Sequence, residues 1–136
     1  MLVVLDPNVL VSAAISTAGP PRQIVNAWVG GRFELAASPA LIDELADVLA
    51  RPRFRRWIST QTAAEFIAGL EQSALMIDDP PAPAALTADP DDDYLIALAR
   101  AGGADYLVSG DRHLTDLQDP EPPVLTPRQF LELLAA

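Results

Sequence analysis

The chain of 136 residues has no cysteine, no lysine, a single histidine and only 6% aromatic residues. Without cysteine there can be no disulfide, no thiolate metal site and no cysteine nucleophile. Without lysine, any mechanism that needs a catalytic lysine is excluded, and the nine basic residues are all arginine. A GC-biased genome accounts for that, and for the load of alanine and proline. Positive charge is scarce as a whole: nine arginines against 19 acids leave a net charge of −10. Such a chain has no global attraction for phosphate backbones, so a nuclease of this composition would need a local basic patch and bound divalent ions. Long apolar runs are also missing. None approaches the ~18 residues of a membrane span, and the N-terminal segment lacks a basic leader, so it reads as a core strand and not a signal peptide. Residence in the cytoplasm is the default expectation.

What is present suffices for one domain spanning residues 1–136. Half the residues are hydrophobic, and a chain of this length buries roughly two thirds of its unfolded surface. Leu2–Leu5 is a short continuous apolar run, as expected of a strand covered on both faces. Helices are predicted over Val9–Ile15, Pro21–Val29, Pro39–Ala50, Thr60–Ser73, Asp91–Ala101 and Pro127–Leu134, the last capped by Thr126. Further strands are predicted at Phe33–Ala37, Leu75–Ile77 and Tyr106–Val108, with a possible edge strand at Val124-Leu125. Gly30-Gly31 and Gly102-Gly103 end the helices before them. The stretch 78–90 carries Pro80, Pro81, Pro83 and Pro90 and is expected to be an extended connection. The β-α-β alternation argues for a three-layer α/β/α sandwich with a mainly parallel central sheet.

The acids carry the chemistry. Asp6 follows the Leu2–Leu5 run, and Asp111 follows Tyr106-Leu107-Val108-Ser109-Gly110. If those runs are neighbouring parallel strands, both carboxylates emerge at the carboxyl edge of the sheet, where open α/β folds bind ligands. Carboxylates gathered there repel one another unless a cation lies between them, which points to a metal site. Asn8 and Ser109 are placed to orient a carboxylate or bound water as supporting groups. In the helix from Pro39, Leu41, Leu45, Val48 and Leu49 form one stripe. Glu44 lies at its border and can reach the sheet edge or remain an ordinary boundary residue; Asp43 and Asp47 face away. Asp91, Asp92 and Asp93 open a helix where the macrodipole favours acids. Periodicity singles out none of them, because Tyr94–Ala99 is apolar nearly all round.

Arg51, Arg53, Arg55 and Arg56, interleaved with Phe54 and Trp57, form the basic cluster. Such a patch suits phosphates and stacked bases, and it equally suits a helix C-terminus. His113 reads as a surface residue that a carboxylate metal site does not require. A haloacid-dehalogenase-like phosphatase and a response-regulator receiver domain also place early acids on a parallel sheet, but both rely on a lysine that this chain lacks.

With these residues in place, the chain resembles the PIN-domain ribonucleases that form the toxin half of bacterial toxin–antitoxin pairs. The resemblance rests on four segments in order: Val3-Val4-Leu5-Asp6-Pro7-Asn8-Val9-Leu10, Ser38-Pro39 through Glu44-Leu45, Asp89 through Ala97, and Ala104 through Asp111. Leu49 through Phe54 is similar to members of one PIN subfamily. The resemblance implies an acidic constellation of Asp6, Glu44, Asp93 and Asp111 that binds Mg²⁺ or Mn²⁺ and cuts RNA. It further implies an antitoxin partner that masks the acidic pocket, and a homodimer. One departure is visible. The family usually has Thr or another small hydroxyl residue where this chain has Pro7, which removes an N–H and a hydroxyl and sets φ near −65°. An alternative therefore stands beside the nuclease: a catalytically impaired PIN-fold protein that binds a partner or RNA without cleaving it.

Overall fold

Val3, Val4 and Leu5 are fully buried, as a strand with helices on both faces must be. In the computed structural model, which describes residues 1–81 and 87–136, they form β1 (Leu2–Leu5) at the centre of a five-stranded sheet of order β3-β2-β1-β4-β5. The other strands are β2 (Glu34–Ala37), β3 (Leu75–Met76), β4 (Tyr106–Val108) and β5 (Val124–Leu125), and every pairing is parallel. Val4 lies beside Ala36 on one side and Leu107 on the other. The chain builds outward from β1 through β2 to β3, then returns to the other side of β1 for β4 and β5. The order therefore reverses between β1 and β4, the kind of switch point outside which α/β sheets bind ligands.

Seven helices flank the sheet among the described residues, as expected of the three-layer sandwich: α1 (Pro7–Ile15), α2 (Pro20–Val29), α3 (Pro39–Leu49), α4 (Thr60–Ser73), α5 (Pro90–Ala101), α6 (Arg112–Thr115) and α7 (Pro127–Ala135). Helix α4 packs on α3, α3 on α1, α1 on α2 and α2 on α7, whereas α5 packs on β1 and β4. Most boundaries fall within a residue or two of those the sequence predicts. The start of α1 lies two residues earlier than predicted. It begins at Pro7 because proline is suited to the first helical position, where its missing N–H is not needed, and because the Asp6 side chain caps the helix. Two short elements have no counterpart in the apolar pattern, a 3-10 helix at Pro52–Arg56 and α6. Of the predicted connection 78–90, residues 82–86 lie outside the described residues.

Gly102 ends α5 against Ile77, whose Cδ1 would lie 2.7 Å from an added Cβ, and Gly103 takes φ of +67°. A side chain larger than hydrogen would have to displace the Ile77 side-chain tip at the first position and would strain the backbone at the second. The C-terminal helix is held by Thr126 and Gln129, which form a reciprocal capping box, and by Phe130, which is fully buried and meets Phe33 edge-on at 5.1 Å between ring centroids. Phe130→Ala is expected to cost about 3–5 kcal/mol, read as a lower urea midpoint. An unchanged midpoint would mean that α7 contributes nothing to the core.

Candidate metal centre

Asp6 leaves β1 with its backbone N–H on the Val108 carbonyl at 2.9 Å, so the ends of β1 and β4 are tied together. Its side chain has two partners. Oδ1 accepts from the Asn8 N–H at 2.9 Å, capping α1, and Oδ2 accepts from the Ser109 hydroxyl at 2.8 Å. The same hydroxyl oxygen accepts the Asp111 N–H at 3.0 Å. Ser109 is fully buried and thus links the two strand-end aspartates from beneath. Asp111 in turn caps α6, its Oδ1 accepting from the His113 N–H at 2.9 Å. Burial pushes the Asp6 carboxyl above its ordinary range; the hydrogen bonds from Asn8 and Ser109 oppose that shift, and the charges of Asp111 and Asp89 reinforce it.

The third acid comes from the first turn of α5. Asp89 caps that helix through the Asp91 N–H at 2.9 Å. Asp92 is only 4% exposed, and its Oδ2 is buried with no hydrogen-bond partner among the described residues. Burial pushes its carboxyl up to about 7, with further contributions from hydrogen-bonding contact with Asp111, from the Asp111 charge, and then from Asp89 and Asp6. Asp93, on which the resemblance falls, is also buried, and its Oδ1 accepts the Thr87 N–H at 2.8 Å. The α5 acid recorded beside Asp111 is Asp92. The phase of α5 is consistent with that. Residues three, four and seven beyond Asp92 are Leu95, Ile96 and Ala99, all buried, whereas the seventh beyond Asp93 is exposed Arg100.

Glu44 stands at the rim of α3, solvent-exposed yet within the field of the same acids. Partial burial raises its carboxyl, Asp91, Asp6 and Asp89 add to the rise, and Arg51 offsets part of it. The ends of α3 and α5 are joined through Tyr94, whose hydroxyl lies 2.6 Å from Ser38 Oγ and also donates to Asp79. Asp79 accepts the Ala40 N–H at 3.1 Å as well, and the Tyr94 hydrogen bond is the main cause of its lowered pKa. His113 is 67% exposed and brings Nδ1 to 3.5 Å from Asp111 Oδ1. Its exposure agrees with the sequence reading. Asp6, Asn8, Ser12, Gly110 and Asp111 line an open cleft of about 400 Å³.

The four arginines of the basic cluster diverge. Arg51, Arg53 and Arg56 are exposed. Arg53 lies over the Phe54 ring at 4.9 Å, and Arg56 over the ring of Trp57, itself 56% exposed, at 5.2 Å. Arg55 turns inward and donates to the Leu49 carbonyl, with Nε and Nη1 buried.

The sequence profile of the family described as PIN domain matches residues 2–113. The chain belongs to the PIN-domain family, whose members are generally nucleases. It is 26% identical over 139 aligned positions to the uncharacterized protein MJ1680 of Methanocaldococcus jannaschii, covering 96% of this chain and 89% of that one. In fold it is similar to PAE2754 from Pyrobaculum aerophilum (TM-score 0.67, 18% identity, 99% of this chain and 90% of the other). It is likewise similar to VapBC2 from Rickettsia felis bound to a DNA fragment from their promoter (TM-score 0.65, 14% identity, 93% and 98%). FitAcB from Neisseria gonorrhoeae is a further likeness (TM-score 0.59, 14% identity, 93% and 98%).

The donors, two carboxylates and an imidazole, fit a divalent cation. Asp92, Asp111 and His113 each offer one ligand atom, all within 4.8 Å of one another, and a buried carboxylate oxygen without a donor is costly unless a cation or proton answers it. Without a metal, a proton takes that place, and the sign of the pH dependence follows. Asp92 titrates near 7 when folded, against 3.8 for an ordinary aspartate. Between those values the folded chain holds more protons than the unfolded chain, so stability falls as pH rises through the window. In the presence of chelator, Tm is expected to be higher near about pH 5 than near about pH 8, at about 4 °C per kcal/mol. Asp92→Asn should flatten that slope; a slope unchanged in the variant would remove Asp92 as its source.

Proposed function

We propose that this PIN domain is a divalent-metal-dependent endoribonuclease and the toxin of a toxin–antitoxin pair. The observation that carries the reading is the buried, unpartnered oxygen of Asp92 set against Asp111 beside Asp6. Asp6, Asp92 and Asp111 would hold Mg²⁺ or Mn²⁺, with Glu44 at the rim; both ions favour oxygen ligands. The resemblance instead implies Asp93 as the α5 ligand, and the test below distinguishes the two. Once bound, the ion supplies Lewis-acid stabilisation of charge on the scissile phosphate and activation of water.

The protein's own groups position and bind. Ser109 holds Asp6 and Asp111 in register, and Asn8, exposed on the cleft, orients a phosphate or bound water beside Asp6. Arg51, Arg53 and Arg56 supply the local positive charge that a chain of net −10 otherwise lacks, and Trp57 offers an open ring face for an unpaired base. Arg55 supports this surface from within. No helix among the described residues is long and apolar enough to cross a membrane, and RNA cleavage in the cytoplasm accords with that. Two of the similar structures, VapBC2 and FitAcB, are toxin–antitoxin complexes. By analogy an antitoxin would mask the acidic cleft with a basic side chain, and the toxin would work as a homodimer.

The alternative of a PIN-fold protein that binds without cutting rests on Pro7, which is buried at the first position of α1, where it brings no hydroxyl to the cleft. Cleavage of RNA with Mn²⁺, with the new ends mapped, separates the readings. The wild type is expected to cut, Asp6→Ala to be inactive, and Asp92→Asn to lose at least about 100-fold. Asp93→Asn should stay within about tenfold, a change of ~1.4 kcal/mol in the barrier. The opposite order would move the ligand to Asp93, and activity found only in Pro7→Thr would favour the binding-only alternative. Expressed with the neighbouring reading frame, the chain is expected to co-purify as a complex with that partner. Consistent recovery of the free protein alone would count against the pairing.

A further inference from the structure

His113 is the only histidine of the chain, and nothing in the reaction as read so far uses it. It lies on the first turn of α6, its backbone N–H on Asp111 Oδ1 at 2.9 Å and its ring Nδ1 3.5 Å from that oxygen. A ring nitrogen, an Asp92 oxygen and an Asp111 oxygen lie within 4.8 Å of one another. Donors sharing one small divalent cation at about 2.0–2.2 Å are at most about 4.4 Å apart. The three donors are thus already close to the spacing that a shared cation requires.

A simple ion pair between His113 and Asp111 leaves one feature unanswered. Asp92, 4% exposed, presents a buried Oδ2 with no hydrogen-bond partner among the described residues. A cation held jointly by Asp92, Asp111 and His113 would bring a counter-charge to the buried Asp92 carboxylate, and the ion pair does not. We propose that His113 is a nitrogen ligand of the metal centre, and that it biases the centre towards Mn²⁺ and the later first-row cations and away from Mg²⁺. The inference rests on the metal-dependent reading above and adds to it a donor and a selectivity. Its chemical basis is the mismatch between imidazole and Mg²⁺, which prefers oxygen and gives up its waters reluctantly, whereas transition cations accept imidazole readily.

The test uses metal-free full-length protein titrated separately with Co²⁺ and Mg²⁺, and pulsed EPR of the Mn²⁺-loaded form. Wild type is expected to show ¹⁴N coupling to Mn²⁺. In His113→Gln that coupling should vanish and Co²⁺ affinity should fall at least about tenfold, with Mg²⁺ affinity changed less than about threefold. Asp111→Asn should weaken both cations. The proposal is overturned if wild type binds Mn²⁺ with no nitrogen coupling, if His113→Gln binds Co²⁺ unchanged, or if the variant weakens Co²⁺ and Mg²⁺ alike. Any of these leaves the nuclease reading standing. Failure of wild type to bind any divalent cation overturns both.

Discussion

The contact between the carboxyl groups of Asp92 and Asp111 governs the rest of the molecule's chemistry. Two acids whose oxygens lie within 4.8 Å of each other in a buried setting resist joint ionisation unless a counter-charge joins them, and Asp92 Oδ2 has no donor among the described residues. The arrangement is therefore an unfavourable element kept in place by favourable ones. Around it lie the buried strands β1 and β4, the apolar face of α5 and the Ser109 bridge between Asp6 and Asp111. Local instability concentrated at one site, and offset by packing elsewhere, is common where a site must bind something.

The scaffold achieves this with economical means. Asp6, Asp89 and Asp111 are each the cap of the helix that follows, so helix N-termini point at the site. The partial positive charge of those N-termini eases the crowding of anions. Parallel strands make this possible, because they deliver successive chain exits to the same edge. The reversal of strand order between β1 and β4 leaves a crevice at that edge for substrate.

Charge sets the second constraint. A surface of net −10 repels nucleic acid, so the proposed nuclease would need positive charge that is local and close to the acids. Arg51 meets that need, since its field reaches Glu44. Arg53 and Arg56 extend the positive strip over Phe54 and Trp57. Arg55 shows that a cluster read as four equivalent cations need not act as four: the 3-10 turn directs its guanidinium into the protein.

Much of the fold was legible along the chain. Buried parallel strands read as unbroken apolar runs, and prolines and glycines mark helix ends, so the alternation of elements and the strand-end positions of Asp6 and Asp111 could be inferred without coordinates. The start of α1 reads two residues late, because Pro7 and Asn8 carry no apolar signal and the capping by Asp6 is a contact. Helix phase was harder still. A single residue turns a side chain by about 100°, and two adjacent buried aspartates on a helix apolar nearly all round look alike by composition. Which of them lies beside Asp111 depends on contact between segments far apart in sequence, and which arginine faces inward depends on how the 3-10 turn after α3 packs. Composition and periodicity are local properties and were enough for the elements and their order; the site is a set of distances across the sheet edge, and those came into being with packing.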